Sequence, residues 1–293
     1  MNALAKTANE ALTNYASERT LVPSEIRLKL FESNYSRVAR LDEAIQLLPR
    51  GEDKCPVTHH FARQAKMYAR EMFIPKGMML TSRIHKFETI SFLLKGDISV
   101  LMPDGKTKRL KAPQTIVSPA GTQRAGYTHE DTIWTCVHQT DVTESEGIED
   151  ITCAKTYDEY ADFIKTIADY NLFLKENGIT DTFVRLVVEN MSDHVEIVQE
   201  ITEIKPSAIQ GDGIFATGNI ASEKDIGYAK IDGKRTIYGR TINHSPFPNC
   251  ELVQSGGNLM LRSIKEVSCG DELTLNYRQC VAVNKELYLC HQS

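Results

Sequence analysis

The chain has 293 residues, 41% of them hydrophobic and 25% charged, which is the composition of a globular protein with room for about two domains. Its formal net charge is −5 and no run of Lys or Arg supplies a basic face, so we expect no general binding of DNA or RNA. No stretch approaches the roughly 18 apolar residues of a membrane span, and the polar N-terminal segment lacks the apolar core of a secretory signal, so we expect no membrane association and no secretion.

The first predicted element is an amphipathic helix over residues 24–48, in an N-terminal arm that we assign to residues 1–55. Apolar side chains recur there at helical spacing, at Phe31, Tyr35, Val38, Leu41, Ile45 and Leu48. The segment 49–53 breaks this pattern with Pro and Gly. We interpret the helix as an arm that packs on a neighbouring domain or on a second subunit.

Short β-rich segments with turn signals between them follow the arm. The predicted strands cover residues 67–75, 89–103, 108–113, 115–121 and 132–138. Gly96–Asp97 and Asp104–Gly105 are the dipeptides expected at tight turns. Several strands at this spacing indicate a small β-sandwich or barrel, which we assign to residues 56–142.

Two helices are predicted between residues 156 and 190, in a helical connector that we assign to residues 143–193. The first has an apolar stripe formed by Tyr157, Tyr160, Ile164, Ile167 and Ala168. Gly178 is expected to end this helix, and Thr180 or Asp181 to cap the next. Strands and turns resume after about residue 194, beginning with a predicted strand over residues 195–204.

Three short segments after residue 205 carry the chemistry. The first, Gln210–Thr217, contains Gly211 and Gly213, and two close glycines let a backbone turn sharply and approach a ligand. The second is Arg240–Cys250, with Asn-His-Ser at its centre, and the third is Gly270–Arg278. Each segment alone would be an ordinary turn, but the three in this order form a specific pattern.

Together these segments resemble the SET-domain family. Residues 211–216 resemble its G-x-G-x-F-A motif, residues 240–250 its R-x-x-N-H-S-x-x-P-N-C motif with one extra residue, and residues 270–277 its closing G-[ED]-E-L-T-x-[DN]-Y motif. We assign the domain to residues 194–280, followed by a tail over 281–293. The resemblance implies small β-sheets in which the Asn-His-Ser segment threads beneath the closing loop as a pseudoknot.

The resemblance also implies transfer of a methyl group from S-adenosylmethionine to the ε-amine of a protein lysine. Such catalysis needs no metal, and rests on aligning a neutral amine and directing polar oxygens at the methyl group. Tyr277 is the implied catalytic residue at the transfer channel. We expect it to position groups and not to act as a base, since the ordinary pKa of a phenol is about 10. The implied donor contacts are Asp212, Gly213, Ile214, Phe215, Arg240, Asn243 and His244.

The lysine channel of the family commonly carries Phe or Tyr two residues before the closing tyrosine, where this sequence has Leu275. A smaller apolar wall leaves a methylated amine room to turn toward the donor again, which predicts di- or trimethyllysine as the product. Tyr228 or Tyr238 could fill the same space from another strand. A core leucine that points away from the channel is the alternative at this position.

Two departures from the family pattern bear on function. The segment between Ile220 and Gly239 is too short to hold the insert that usually shapes one wall of the substrate groove, as in the smallest members of the family, viral ones included. After Tyr277 only Cys280 and Cys290 remain, too few ligands for a tetrahedral zinc site. Substrate recognition is therefore expected from the connector, the β-domain, the tail or another subunit.

Residues 77–124 resemble a cupin, a small jelly-roll barrel. The matching positions are Gly77, His85, Glu88, Gly96 and the segment 118–121. A metal-binding cupin would usually offer three histidines and a carboxylate, but Arg83 and Arg124 stand at two of the histidine positions, and Thr89, beside Glu88, stands at that of the carboxylate. Arginines repel a cation, so we predict no bound metal. We interpret the barrel as a module that binds a ligand or forms a dimer. If it binds a ligand, Arg83 and Arg124 could face an anion.

The predicted fold is mainly β with helical segments: a cupin-like jelly-roll barrel followed by a SET β-fold. The predicted function is protein-lysine methylation, with a protein as substrate partner and a homo-oligomer formed through the barrel as a further expectation. Two alternatives stay open, a non-catalytic SET and cupin scaffold and a metal-dependent cupin enzyme. The seven cysteines are odd in number and form no C-x-x-C pair, which favours reduced thiols and a cytoplasmic location.

Overall fold

A computed structural model of the chain describes residues 55–102 and 106–290, and within the preceding segment Val38, Leu41, Asp42 and Ile45. The described part is mainly β, with several antiparallel sheets and some helices, as predicted. Most of the helix predicted over residues 24–48, and the turn predicted at Asp104–Gly105, lie outside the described residues. The four residues described in that segment are helical, and Val38 is buried.

The chain divides into two compact units, Met1–Ile164 and Lys165–Ser293. This division falls at one point of the connector predicted over residues 143–193. The predicted five-segment division of the chain stays a prediction.

Each of the five predicted strand segments of the first unit is observed. The segment predicted as 89–103 forms two strands that turn at Gly96. In chain order the strands are β1 (Val57–Ala62), β2 (Met67–Ile74), β3 (Met79–Thr81), β4 (Ile84–His85), β5 (Thr89–Lys95), β6 (Asp97–Leu101), β7 (Thr107–Lys111), β8 (Gln114–Ser118), β9 (Ala125–Thr128) and β10 (Thr132–Gln139), with a short 3-10 helix at Arg63–Ala65.

Two antiparallel sheets form the barrel, one in the order β1-β2-β10-β5-β8 and one in the order β3-β9-β6-β7. Leu93 of the first sheet packs with Ile98 and Val100 of the second, so the sheets enclose a common core. Strand β5 alternates as a half-buried strand should, with Thr89, Ser91 and Leu93 buried and the residues between them facing outward. The interior of the barrel is therefore partly polar.

The first unit continues through helix α1 (Ile148–Thr152), strand β11 (Cys153–Ala154) and the beginning of helix α2 (Tyr157–Glu176). Strand β11 pairs with β4. The stripe predicted for this helix is partly wrong, because Ala168 is exposed whereas Phe173 and Leu174 are buried. Periodicity identified the helix but not the faces that tertiary contacts bury.

Helix α3 (Asp181–Glu189) follows, and the hydroxyl of Thr180 caps it by accepting a hydrogen bond from the backbone N–H of Phe183. The remaining elements are β12 (Thr202–Pro206), β13 (Asp212–Ala216), β14 (Asp225–Ile231), β15 (Lys234–Arg235), α4 (Tyr238–Thr241), β16 (Asn243–His244), β17 (Cys250–Ser255), β18 (Asn258–Ser263), β19 (Glu272–Leu275) and α5 (Tyr277–Cys290). The strand predicted over residues 195–204 begins only at Thr202, since the segment before it forms no ladder.

Two four-stranded sheets organise the second unit, in the orders β12-β13-β19-β16 and β15-β14-β18-β17. Their inner faces share one core, which includes Ile214, Leu261 and Leu273, each fully buried. The pair β16 and β19 is parallel, and it joins residues 243–244 to residues 274–275. Strand β13, which carries the glycine motif, pairs with β19 on its other side, so all three motifs meet in a single sheet.

Candidate active site

The Asn-His-Ser segment is bound to the closing motif along its whole length. The backbone N–H of Ser245 donates to the carbonyl of Leu275 at 2.9 Å. Asn249 completes the junction, because its Nδ2 donates to the carbonyl of Glu272 at 2.8 Å and its Oδ1 accepts from the backbone of Thr274 at 2.7 Å. This is the pairing that the predicted pseudoknot requires.

Asn243 joins the glycine turn to the same junction. Its Nδ2 lies 3.0 Å from the carbonyl oxygen of Gln210, 3.1 Å from that of Asp212 and 2.8 Å from Oε1 of Glu272. Its Oδ1 accepts no hydrogen bond from the residues that the structure describes. One amide thus holds all three motifs together and keeps an acceptor available for a ligand.

The two glycines of the turn have different reasons to be glycine. Gly211 has a φ of +54°, in the left-handed region, and the space that a Cβ would take there contains no atom within 4 Å. At Gly213 a Cβ would instead collide with the carboxylate of Glu272, which also accepts from the hydroxyl of Ser207. The first glycine leaves open space at the turn, and the second permits close packing inside the fold.

Tyr277 begins helix α5 at the centre of an aromatic cluster. Its ring lies 5.1 Å from that of His244, 5.7 Å from Phe173 and 6.2 Å from Tyr170, between centroids. Its hydroxyl donates to the carbonyl of Ile242 at 2.9 Å. Burial raises the pKa of the Tyr277 phenol well above its ordinary value, so the hydroxyl stays protonated at neutral pH.

The His244 side chain is committed to the fold. Its Nδ1 accepts from the backbone N–H of Tyr277 at 3.2 Å, so the proton of the neutral ring belongs on Nε2, which donates to Asp169 at 2.9 Å. Burial lowers the pKa of His244, against the opposing effect of Asp169, and the ring remains neutral. Any donor contact at this position must therefore use the backbone.

Sequence reasoning missed the residues of helices α2 and α3 that support this site. Asp169 accepts from both His244 and Arg278, the latter at 2.8 Å. Asp181 accepts from the hydroxyl of Tyr170 at 3.1 Å and from the amide of Gln210, beside the glycine turn, at 3.2 Å. These contacts join positions far apart in sequence, and no local spacing signals them.

The SET domain family model matches residues 73–278, which is more than half of the chain. The chain belongs to the SET-domain family. This family comprises protein-lysine methyltransferases that use S-adenosylmethionine, and the match begins far upstream of the domain start predicted at residue 194.

Two curated SET-domain proteins are similar to the chain over a short stretch. The mouse histone-lysine N-methyltransferase SMYD3 is 40% identical over 45 residues, and the human SMYD3 protein is 38% identical over 45 residues. In both cases the stretch covers 15% of this chain and 10% of the relative. The similarity to these two proteins is therefore local, and it leaves nine tenths of each relative unmatched.

Solved structures similar to the chain include cupin-fold proteins. A cupin superfamily protein from Desulfitobacterium hafniense is 13% identical, with 33% of this chain and 86% of that chain covered and a TM-score of 0.27. The Cnp3 cupin domain of Schizosaccharomyces pombe is 21% identical, with 31% and 65% covered and a TM-score of 0.26. These similarities are too weak to bear on function.

Several predicted contact residues of this SET-domain chain are occupied within the fold. Arg240 is buried and pairs with Asp193 at 3.2 Å, and it also donates to the carbonyl of Val188. Ile214 is a fully buried core residue. Phe215 lies partly buried beneath Lys205, whose Nζ is 5.9 Å from the ring centroid. Their predicted donor contacts stay predictions.

The predicted channel residues lie at different depths. Leu275 is 4% exposed and belongs to the hydrophobic core of the second unit. Tyr238 is 1% exposed, and its hydroxyl shares a 2.8 Å hydrogen bond with that of Thr202. Tyr228 is only partly buried. Whether any of them contacts the lysine stays a prediction.

Two observations indicate that the residues present can hold S-adenosylmethionine. Gly211 is exposed and no atom lies within 4 Å of the place of its missing Cβ, so the methionine portion of a donor could approach the backbone of the turn. The free Oδ1 of Asn243, next to that turn, is the type of acceptor that the ammonium group of an amino acid requires. The aromatic cluster around Tyr277 adjoins the same strand segment, because the Tyr277 hydroxyl donates to the carbonyl of Ile242 and its ring lies 5.1 Å from that of His244.

In the barrel, the positions compared with metal-binding cupins do not form a ligand set. Among the described residues, no cluster of three or more His, Cys, Asp and Glu side chains could hold a metal ion. Arg83 lies 3.5 Å from the carboxylate of Glu149, and Glu88 is exposed. The predicted absence of a metal stays a prediction.

No described helix is long and apolar enough to cross a membrane.

We expect the protein to lose stability as the pH falls from about 7 to about 4. Burial lowers the pKa of His85 to about 3 and that of His138 to about 4, whereas an unfolded histidine titrates near 6.5. Between these values the unfolded chain binds more protons than the folded chain, so the free energy of unfolding falls with the pH. Thermal melts from pH 7 to pH 4 measure this.

Other groups also titrate in this range, so the pH dependence needs a matched pair of variants. His138→Gln should flatten it, whereas Lys108→Gln, at an exposed residue of β7, should retain it. Equal pH dependence in the wild type and in His138→Gln would contradict the assignment of a neutral, buried ring.

Proposed function

We propose that the chain transfers methyl groups from S-adenosylmethionine to the ε-amine of a lysine in a protein substrate. One observation carries this proposal: the glycine turn, the Asn-His-Ser segment and the closing motif converge on the amide of Asn243. The family match supports the reaction class.

We propose the following roles for the residues of this site. When bound, S-adenosylmethionine supplies a methyl group that its sulfonium makes electrophilic. The backbone from Asp212 to Phe215 and the Oδ1 of Asn243 hold its methionine portion, and the backbone of Asn243 and His244 holds the adenine edge. Asp169 fixes the neutral His244 ring, and that ring in turn accepts from the first residue of α5, Tyr277.

Tyr277 acts by position in this proposal. Its hydroxyl donates to the carbonyl of Ile242, and this hydrogen bond fixes the plane of the ring. The lone pairs of the phenol oxygen therefore point away from Ile242. A phenol with a raised pKa is a poor base for the lysine ammonium. The lysine therefore loses its proton to solvent before transfer, and the oxygen atoms around it align the neutral amine.

We further propose di- or trimethyllysine as the main product, with Leu275 as the small wall of the channel. Leu275→Tyr should then shift the product toward monomethyllysine, because a hydroxyl at this place can hold the amine and restrict its rotation. Mass spectrometry of a reaction time course measures the product. A wild-type reaction that stops at monomethyllysine with excess donor, or an unchanged product in Leu275→Tyr, would contradict the role of Leu275.

The proposed function is tested in two steps. Calorimetric titration of the purified chain with S-adenosylmethionine should show one site per chain. Incubation with the radiolabelled donor and a cell lysate, followed by mass spectrometry of labelled bands, should then identify methylated lysine. Donor binding without any labelled lysine would favour the non-catalytic scaffold, and absence of donor binding would reject the proposed function.

We also propose a cytoplasmic location and dimerisation through the barrel. All six cysteines described in the structure are free thiols, which suits a reducing compartment. Ile90, Leu94 and Val117 are exposed on the neighbouring strands β5 and β8, and they give the barrel an apolar outer face. Sedimentation of the wild type and of Val117→Lys tests the dimer, which the lysine should dissociate.

A further inference from the structure

The β-barrel contains a cavity of about 550 Å³, within the size range of small-molecule sites. Both sheets contribute to its wall, with Tyr68 and His138 from the first and Ile98 and Ala125 from the second. All of its lining residues belong to the first unit, and none belongs to the three motifs of the proposed methyl-transfer site.

Polar groups without partners are concentrated in this cavity. The rings of His85 and His138 stack at 5.3 Å between centroids, and the Nδ1 atom of each is buried without a hydrogen-bond partner. The Nε of Arg124 is buried and unpartnered as well, although another nitrogen of its guanidinium donates to Ser118 at 2.6 Å. The Oε1 of Gln123, which also lines the cavity, is buried without a partner too. Buried unpaired groups are costly, so four of them on one cavity indicate a ligand that pairs with them.

The charge of the cavity favours an anion. Arg70 and Arg124 both line it, and neither forms an ion pair with a carboxylate among the described residues. Two acidic side chains, Asp42 and Glu149, also line it. Glu149 is paired with Arg83 at 3.5 Å, and Asp42 accepts from the hydroxyl of Thr81.

The rest of the wall is apolar, which limits the class of anion. Ile74, Leu80, Ile98, Val100 and Trp134 line the cavity. The two histidines are neutral at physiological pH because burial lowers their pKa values, so they offer hydrogen bonds and no further positive charge. The two guanidinium groups can pair with an anionic head group, and the apolar wall favours an organic anion with an apolar body over inorganic phosphate, which has none.

We propose that the barrel cavity is a second ligand site, which binds a small organic carboxylate with an apolar body. The carboxylate pairs with the guanidinium groups of Arg70 and Arg124, and the stacked pair of His85 and His138 donates to it or contacts the apolar body. Its residues belong to the first unit, and the motifs of the proposed methyl-transfer site belong to the second.

Benzoate and hexanoate, with benzyl alcohol and hexanol as uncharged counterparts, are the probes. Calorimetry on the full chain should show that the carboxylates bind at millimolar concentration or better, and that the alcohols and inorganic phosphate bind at least about tenfold more weakly. Arg124→Met and Arg70→Met should each weaken benzoate binding by about tenfold or more, since each loses a charged hydrogen-bonding partner. Lys108→Met, on the exposed side of β7, is the matched control and should bind benzoate normally.

A measurement on the wild type keeps the test independent of whether the arginine variants fold. Benzoate should move the imidazole NMR signals of His85 and His138 but not that of His129, which is bonded to Ser99 at 2.8 Å and does not line the cavity. Equal binding of acids and alcohols, tighter binding of phosphate, no binding of any probe, or unchanged signals of both cavity histidines would overturn the proposal.

Discussion

Tyr277→Phe is expected to reduce methyl transfer by at least about a hundredfold, while the affinity for S-adenosylmethionine stays near that of the wild type. The substitution removes a single oxygen, whose hydrogen-bond partner in the structure is the carbonyl of Ile242 and not a residue of the glycine turn. Loss of one oriented polar group at a reacting centre typically costs about 10²–10³ in rate. Single-turnover kinetics with saturating donor measure the transfer step, and calorimetry measures donor affinity.

The same substitution also removes the hydrogen bond to Ile242, which is expected to lower stability by about 1 kcal/mol. Thermal melts must therefore show that Tyr277→Phe is folded at the assay temperature. Tyr127→Phe, at an exposed tyrosine on β9, is the matched control and should transfer at the wild-type rate. Normal turnover by Tyr277→Phe would show that its hydroxyl has no part in the reaction.

Asn243→Ala is expected to weaken donor binding itself by at least about tenfold. The alanine removes the free Oδ1 acceptor and all three contacts of Nδ2, so the glycine turn is no longer held to the closing motif. It leaves buried acceptors unpaired, which should also cost about 1–3 kcal/mol of stability. Calorimetric titration with S-adenosylmethionine and urea unfolding measure the two effects.

Asn258→Ala separates loss of the site from loss of an asparagine in general. The Oδ1 of Asn258 accepts from the backbone of Asp232 at 2.9 Å in the same unit, away from the three motifs. This variant should lose some stability and keep its donor affinity. Unchanged donor affinity in Asn243→Ala would contradict the assignment of the Asn-His-Ser segment to the donor site.

The sequence predicted best where the signal is local. The strands around Gly96 alternate buried and exposed residues with a period of two, and the three motifs are dense clusters of residues with strict spacing. These features could be identified without knowledge of any neighbour in space. The family and the mainly β fold were predictable for this reason.

Long-range contacts were not predictable in the same way. Asp169 supports His244 across 75 positions and Arg278 across 109. Nothing in helix α2 distinguishes this aspartate from a solvent-exposed one. The strand predicted from residue 195 begins only at Thr202 for a related reason. An apolar run in the sequence does not show where the pairing partner of a strand begins. The open space at Gly211 likewise depends on how neighbouring segments pack.

The parallel pairing of β16 with β19 has a consequence for the order in which the protein acquires its activity. Residues 243–244 find their partners only at 274–275, and the carboxylate that receives the Asn243 amide belongs to Glu272. During synthesis the earlier segments leave the ribosome without these partners, and nascent chains shorter than this strand lack one side of the ladder. Pairing over such sequence separations is slow compared with the closure of local turns. The proposed donor site can therefore be complete only after the closing strand has emerged from the ribosome.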